Sequence, residues 1–112
     1  MSDTASGNIL AALPPAGREE HFQEILQRPG VRIERIVSSG HSTPPGEWYD
    51  QEWEEWVLLM AGSAGLLVEG ETEPRCLMPG DYLYLPARCR HRVEWTEVQT
   101  VWLAVHFTVS QG

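Results

Sequence analysis

Gly80-Asp81-Tyr82-Leu83-Tyr84-Leu85-Pro86-Ala87-Arg88-Cys89-Arg90-His91 is the stretch that decides how this chain reads. Gly80 opens a tight turn, because glycine takes the backbone angles that turns demand. Tyr82 to Leu85 is a short aromatic and aliphatic strand. Pro86 stops it, since proline cannot donate to a ladder. His91 then stands at the start of the next strand. The segment sets one imidazole at a fixed point of a β-rich fold.

Outward from this segment the same punctuation recurs. Val31-Arg32-Ile33-Glu34-Arg35-Ile36-Val37 is β-branched with partial alternation. Residues 40–46 form a loop around Pro44-Pro45-Gly46. Trp53 to Met60, Ala64 to Glu69, Arg75 to Leu77, His91 to Thr96 and Thr100 to Thr108 read as further strands. About seven short strands with frequent turns predict an all-β sandwich, barrel or jelly roll. Ahead of them, Gly17 to Gln27 predicts one short N-terminal helix. Phe22, Ile25 and Leu26 fall at i, i+3 and i+4, Glu19 and Glu20 suit a first turn, and Pro29-Gly30 makes a stop. The expected organisation is an N-terminal arm and helix over 1–30 and a barrel over 31–112, one domain in all.

Composition narrows the partners. A chain of 112 residues holds one core and no second. Its longest apolar run, Trp56 to Ala61, is far shorter than a membrane span. Met1-Ser2-Asp3-Thr4 lacks a basic region leading into an apolar stretch, so a cytoplasmic protein without a membrane partner is expected. The net charge is −8 and lysine is absent, which argues against nucleic acid, whose phosphates call for clustered basic residues. Cys76 and Cys89 are too few and too separated for a zinc knuckle or a redox pair. No organic cofactor is indicated.

Gly80, Pro86 and His91 stand at the spacing of the second cupin motif, G-x5-P-x-G-x2-H-x3-N, which the segment resembles. Arg88 takes the place of the family's glycine and Trp95 that of its asparagine. The first cupin motif, G-x5-H-x-H-x3,4-E-x6-G, keeps its tail in Glu55 and Gly62. Its two histidine positions hold Tyr49 and Gln51 at one spacing, or Trp48 and Asp50 at the other. The resemblance runs from Val31 to Phe107 and is similar to the small single-domain bacterial cupins, a subgroup without an assigned activity. It implies a cupin-type jelly-roll β-barrel with His91 as a metal ligand inside. The family includes dioxygenases, isomerases, epimerases, decarboxylases and binding proteins, so fold alone does not choose among them.

The resemblance and the residues together give the candidate site. A divalent metal (Mn, Fe, Zn or Ni) would draw on His91, Glu55, Gln51 and Asp50, one imidazole with oxygen donors. A metal-free variant uses His91 as general base and Tyr49 as acid. In a site that has lost its metal, Glu55, Gln51 and His91 form a buried hydrogen-bond network instead. His106 shares a strand face with Trp102 and Ala104, while Val101, Leu103, Val105 and Phe107 share the other. That apolar alternate face favours an outward His106, and an inward one would bring it to His91. Trp95 is expected on the His91 face, lining a pocket with Val93.

Two functions of different class follow. One is a metal-dependent oxygenase or isomerase acting on a small organic molecule in the barrel. The other is a non-catalytic ligand-binding or sensing barrel. A homodimer is expected, since dimerising covers exposed sheet edges and faces. The apolar segment Ile9 to Leu13 suits an exchanged arm.

Overall fold

A computed structural model describes residues 4–108 of the chain. They form eight strands: β1 (His21–Arg28), β2 (Val31–Ser38), β3 (Glu54–Ala61), β4 (Ala64–Val68), β5 (Arg75–Leu77), β6 (Tyr82–Leu85), β7 (His91–Thr96) and β8 (Thr100–Phe107). A five-stranded sheet runs β1-β2-β8-β3-β6 and a three-stranded sheet runs β5-β4-β7. Every pairing is antiparallel. Alternate side chains of both sheets turn inward, as the period of a strand requires. Val57, Leu59, Ala64, Leu66, Leu77, Trp102 and Ala104 form the resulting core. Fully burying each of the larger ones contributes about 1.5–3 kcal/mol. Among the described residues no helix is long and apolar enough to cross a membrane.

The expected N-terminal helix does not form. Residues 21–28 are strand β1, with Phe22 opposite Ile36 and Leu26 opposite Ile33. The register slips between Glu24 and Leu26. A bulge there inserts an extra residue, so apolar positions at i, i+3 and i+4 suit a bulged strand as well as a helix. An isolated helix of this length is marginal in water, whereas the edge of β2 offers a full ladder of hydrogen bonds. The division between residues 30 and 31 consequently falls in the β1–β2 turn, inside one sheet.

The turns explain several residues. Gly62, which ends β3, has φ +81°, and a side chain there would bring Cβ within 2.8 Å of the Thr100 Cα. Gly80 has φ +96°, and its N–H donates to the Leu59 carbonyl at 2.8 Å. The Asp81 carboxylate accepts from the Met78 N–H at 2.8 Å and closes this turn. Arg88, in the place of a motif glycine, still takes the left-handed conformation, φ 64°. Its N–H donates to the Gln51 carbonyl at 2.7 Å, which ties the loop before β7 to the segment before β3.

A second bulge redirects Trp95. On β7, Val93 partners Leu66, but Trp95 partners Gly65, with the register slipping between them. Glu94 is the inserted residue, so Trp95 swings away from the face that Val93 and His91 share. Its indole lies over Gly65, where a Cβ would meet Nε1 at 2.2 Å. The expected place of Trp95 in the pocket is thus corrected.

Candidate functional site

The inward faces of the two sheets enclose a cavity of about 320 Å³. Its size suits a small organic molecule. Ile36, Val57, Leu66, Leu85, Val93 and Trp102 give it an apolar wall. Phe22 and Tyr49, both exposed, mark its mouth.

The polar part is built as one rung of the large sheet. Arg32 on β2 stands opposite His106 on β8, and His106 stands opposite Glu55 on β3. All three line the cavity. Glu34, two residues along β2, lies opposite Ala104. A side chain as small as Ala104 leaves it room to reach His106. From the other sheet, His91 at the start of β7 faces Glu55, with Nε2 and Oε1 3.8 Å apart.

The hydrogen bonds fix both imidazoles. His91 Nδ1 lies 2.9 Å from the Cys89 carbonyl, which only accepts, so Nδ1 carries the proton and Nε2 offers a lone pair to the cavity. The Tyr49 ring stacks on the imidazole at 5.4 Å between centroids. A backbone bridge between the same two residues holds the stack: Tyr49 N–H donates to the His91 carbonyl at 2.8 Å and the reverse bond is 3.1 Å. At His106 the tautomer is opposite. Trp53 Nε1–H donates to Nδ1 at 2.9 Å, so Nε2 carries the proton and donates to Glu34 Oε1, also at 2.9 Å.

Burial shapes the titration of these groups. Removal from water pushes the Glu55 carboxyl up to about 7, the nearby Glu34 charge adds to this, and Arg32 opposes it. Burial also holds His91 below the ordinary imidazole value, partly offset by the Cys89 carbonyl. His106 is likewise lowered by burial, against the pull of Glu34. Tyr49 is raised by burial and by the Glu20 charge. Near neutral pH the site therefore holds a neutral imidazole with a free lone pair beside a carboxyl close to half protonated.

His91, Glu55, Gln51 and Tyr49 all border the cavity. Asp50 does not. Its carboxylate lies 3.2 Å from the Arg88 guanidinium, on the exposed side of the loop, and Glu52 takes the other guanidinium nitrogen at 3.3 Å. Asp50 thus faces Arg88 and not the cavity. His106 corrects the outward reading: it is 7% exposed and faces the cavity. The apolar face of β8 is the outer one, where Leu103 and Val105 stay half-buried. The N-terminal segment covers part of that face, with the Ile9 and Ala11 carbonyls accepting from Arg35 at 3.1 and 2.7 Å. Reading the sequence did not single out Arg32 or Glu34. The alternation of Arg32, Glu34 and Ile36 on one face of β2 was the available signal.

These donors do not fit a preformed metal centre. Both nitrogens of His106 are engaged by Trp53 and Glu34, and Asp50 is turned to Arg88. Among the described residues no group of three or more His, Cys, Asp and Glu side chains is arranged to hold a metal ion.

Comparison with known proteins places the fold. No family model matches the chain. A solved protein of Ralstonia eutropha JMP134, called a "putative mannose-6-phosphate isomerase", is 50% identical, with 95% of this chain and 100% of that one covered and a TM-score of 0.92. An RmlC-like cupin from Desulfovibrio desulfuricans is 16% identical over 93% of this chain and 96% of that one, TM-score 0.76. A cupin superfamily protein from Desulfitobacterium hafniense DCB-2 is 18% identical over 95% and 94%, TM-score 0.75. In sequence, the acireductone dioxygenase of Rhodopseudomonas palustris strain TIE-1 is 25% identical over 114 residues, all of this chain and 67% of that protein. With two facing antiparallel sheets, the second motif in place and half its residues shared with the Ralstonia protein over nearly its whole length, the chain is a small cupin-fold protein of the same family as that protein.

Proposed function

We propose that the protein binds a small hydroxy-carbonyl compound in the barrel and moves a proton between its adjacent carbons, an isomerase-class reaction. The observation that carries this reading is the facing of His91 Nε2 and Glu55 Oε1, 3.8 Å apart, inside a cavity of about 320 Å³. His91 Nε2 takes the proton from the carbon that bears the hydroxyl. Glu55 gives its proton to the neighbouring carbonyl oxygen, and an enediol forms. The second half reverses the roles. Glu55 recovers a proton from the original hydroxyl, and the His91 imidazolium returns its proton to the former carbonyl carbon. No oxidant or reductant is needed. Tyr49, a neutral phenol at the cavity mouth, donates a hydrogen bond to a ligand oxygen. The name carried by the 50% identical Ralstonia protein, that of a sugar-phosphate isomerase, belongs to the same reaction class.

The experiment is incorporation of solvent deuterium, followed by proton NMR, into short aldoses and ketoses and their phosphates. Chelator-treated protein is expected to wash deuterium into the carbon beside the carbonyl, and His91→Ala to abolish it. Bound ligand without exchange supports the non-catalytic barrel instead. Stoichiometric Mn, Fe, Zn or Ni in the purified protein, lost in His91→Ala together with the activity, supports the metal-dependent reading.

A homodimer in which the outer faces of the large sheets meet is part of the same proposal. Supporting it, Leu58 stands opposite Leu103, and Trp56 and Ile33 both stand opposite Val105, in an outward apolar patch that stays half-buried in one chain.

A further inference from the structure

The polar rung ends on Arg32, and its chemistry is unused by the reaction above. Its Nε is buried, with no hydrogen-bond partner, and the side chain lines the cavity. Among the described residues it is the one guanidinium or ammonium on the cavity wall, beside Glu20, Glu34 and Glu55. None of these carboxylates lies within ion-pair distance of it. Glu34 instead accepts from His106, and the Glu20 carboxylate accepts from the Ser38 hydroxyl. Glu55 faces His91 and His106, at 3.8 and 3.7 Å. A buried N–H left without a partner is unfavourable, because it has given up water for nothing. Arg35 and Arg92 also leave a buried Nε without a hydrogen bond, but of the three only Arg32 lines the cavity, where a ligand can reach it.

We propose that Arg32 is the anion-recognising residue of the cavity, and that the ligand carries a carboxylate or phosphate at one end and its hydroxy-carbonyl carbons at the other. The substrate class named here rests on the acid–base reading of the same cavity. Arg32 and Glu55 are two strands apart with His106 between them, a backbone separation of roughly 10 Å at the usual strand spacing. Side chains reaching inward from both ends leave a span of a few carbon atoms. The ligand is thus a short acid or a short phosphate ester, not a neutral sugar. A guanidinium suits this task because its fork binds two oxygens of one oxyanion.

Calorimetric titration of inorganic phosphate, D-glycerate and glycerol into the intact parent protein tests the assignment without any variant. Phosphate or glycerate is expected to bind and glycerol is not, and added salt is expected to weaken the binding. Preference for phosphate points to a phosphate ester and preference for glycerate to a carboxylate; either supports the assignment. In Arg32→Gln, anion affinity is expected to fall roughly tenfold to a hundredfold, the worth of a charge-assisted bond. His91→Ala is expected to keep anion binding while losing deuterium exchange, so the two readings fail separately. Glycerol binding as tightly as the anions, no anion binding by the parent, or full anion binding by a folded Arg32→Gln would overturn the proposal. Arg32 would then serve only as a counter-charge to Glu34 and Glu55.

Discussion

Glu55 and His91 come from different sheets and meet across the cavity, with Oε1 and Nε2 3.8 Å apart. Each is held by its own strand: Glu55 sits between Leu85 of β6 and His106 of β8, and His91 is bridged to Tyr49. Strand pairing thus places the two backbones before any ligand arrives, which serves the positioning that proton transfer requires.

Glu55 makes stability depend on pH. Its carboxyl is pushed up from 4.5 to about 7, so between these values the folded state holds a proton that the unfolded state lacks. This contribution is fully present below 4.5 and is lost as pH rises through about 7. The loss amounts to about 3 kcal/mol at pH 8. His91 and His106 act in the opposite sense. Both are lowered from 6.5, so their contribution falls as pH drops below that value. Glu55→Gln, a neutral isostere, is expected to be more stable than the parent at pH 8 and close to it at pH 4.5. Urea denaturation at the two pH values reads the difference.

Arg88 holds a left-handed conformation, φ 64°, that costs a non-glycine residue about 1 kcal/mol. Its ion pairs with Asp50 and Glu52, at 3.2 and 3.3 Å, are exposed and each contributes about 0–1 kcal/mol. Arg88→Gly is expected to change stability by less than about 1 kcal/mol, toward gain. A thermal denaturation series that shows a larger loss would mean the ion pairs, not the backbone, order this loop.

Gly62 and Gly65 are both crowded, but by different neighbours. At Gly62 the obstacle is the Thr100 backbone at 2.8 Å together with φ +81°. At Gly65 it is the indole of Trp95, which is 40% exposed and free to swing outward. Gly62→Ala is expected to lose more than about 2 kcal/mol. Gly65→Ala is expected to lose less and to shift the Trp95 fluorescence. Equal losses would contradict this ranking.

The proposed dimer predicts a mass in light scattering of two chains. Leu103→Lys, on the outer face and away from the cavity, is expected to yield a folded monomer that keeps the cavity. A parent that runs as a monomer at high concentration would remove the dimer from the account.

Most of the fold was legible because turn residues and strand residues alternate so regularly. Arg75 to Leu77, Tyr82 to Leu85 and His91 to Thr96 coincide with β5, β6 and β7. The failures lie at bulges. Ile25 and Glu94 each add a residue to a strand, and neither leaves a mark in the alternation. One bulge made β1 resemble a helix, and the other turned Trp95 out of the pocket. The site was half legible. His91, Glu55, Gln51 and Tyr49 follow from motif spacing, whereas Arg32 and Glu34 enter through the pairing of β2 with β8, a long-range register that spacing within one segment does not encode. The inward turn of His106 was hidden by the apolar outer face.

The most direct test of the His91–Glu55 pair needs no substrate. NMR titration, with nitrogen detection of the histidine tautomers and carbon detection of the glutamate carboxyls, reads both groups in the folded protein. The account predicts a neutral His91 protonated on Nδ1, titrating below 6.5, and a Glu55 carboxyl titrating near 7. A Glu55 that titrates near 4.5, or a His91 protonated on Nε2 at neutral pH, would contradict it.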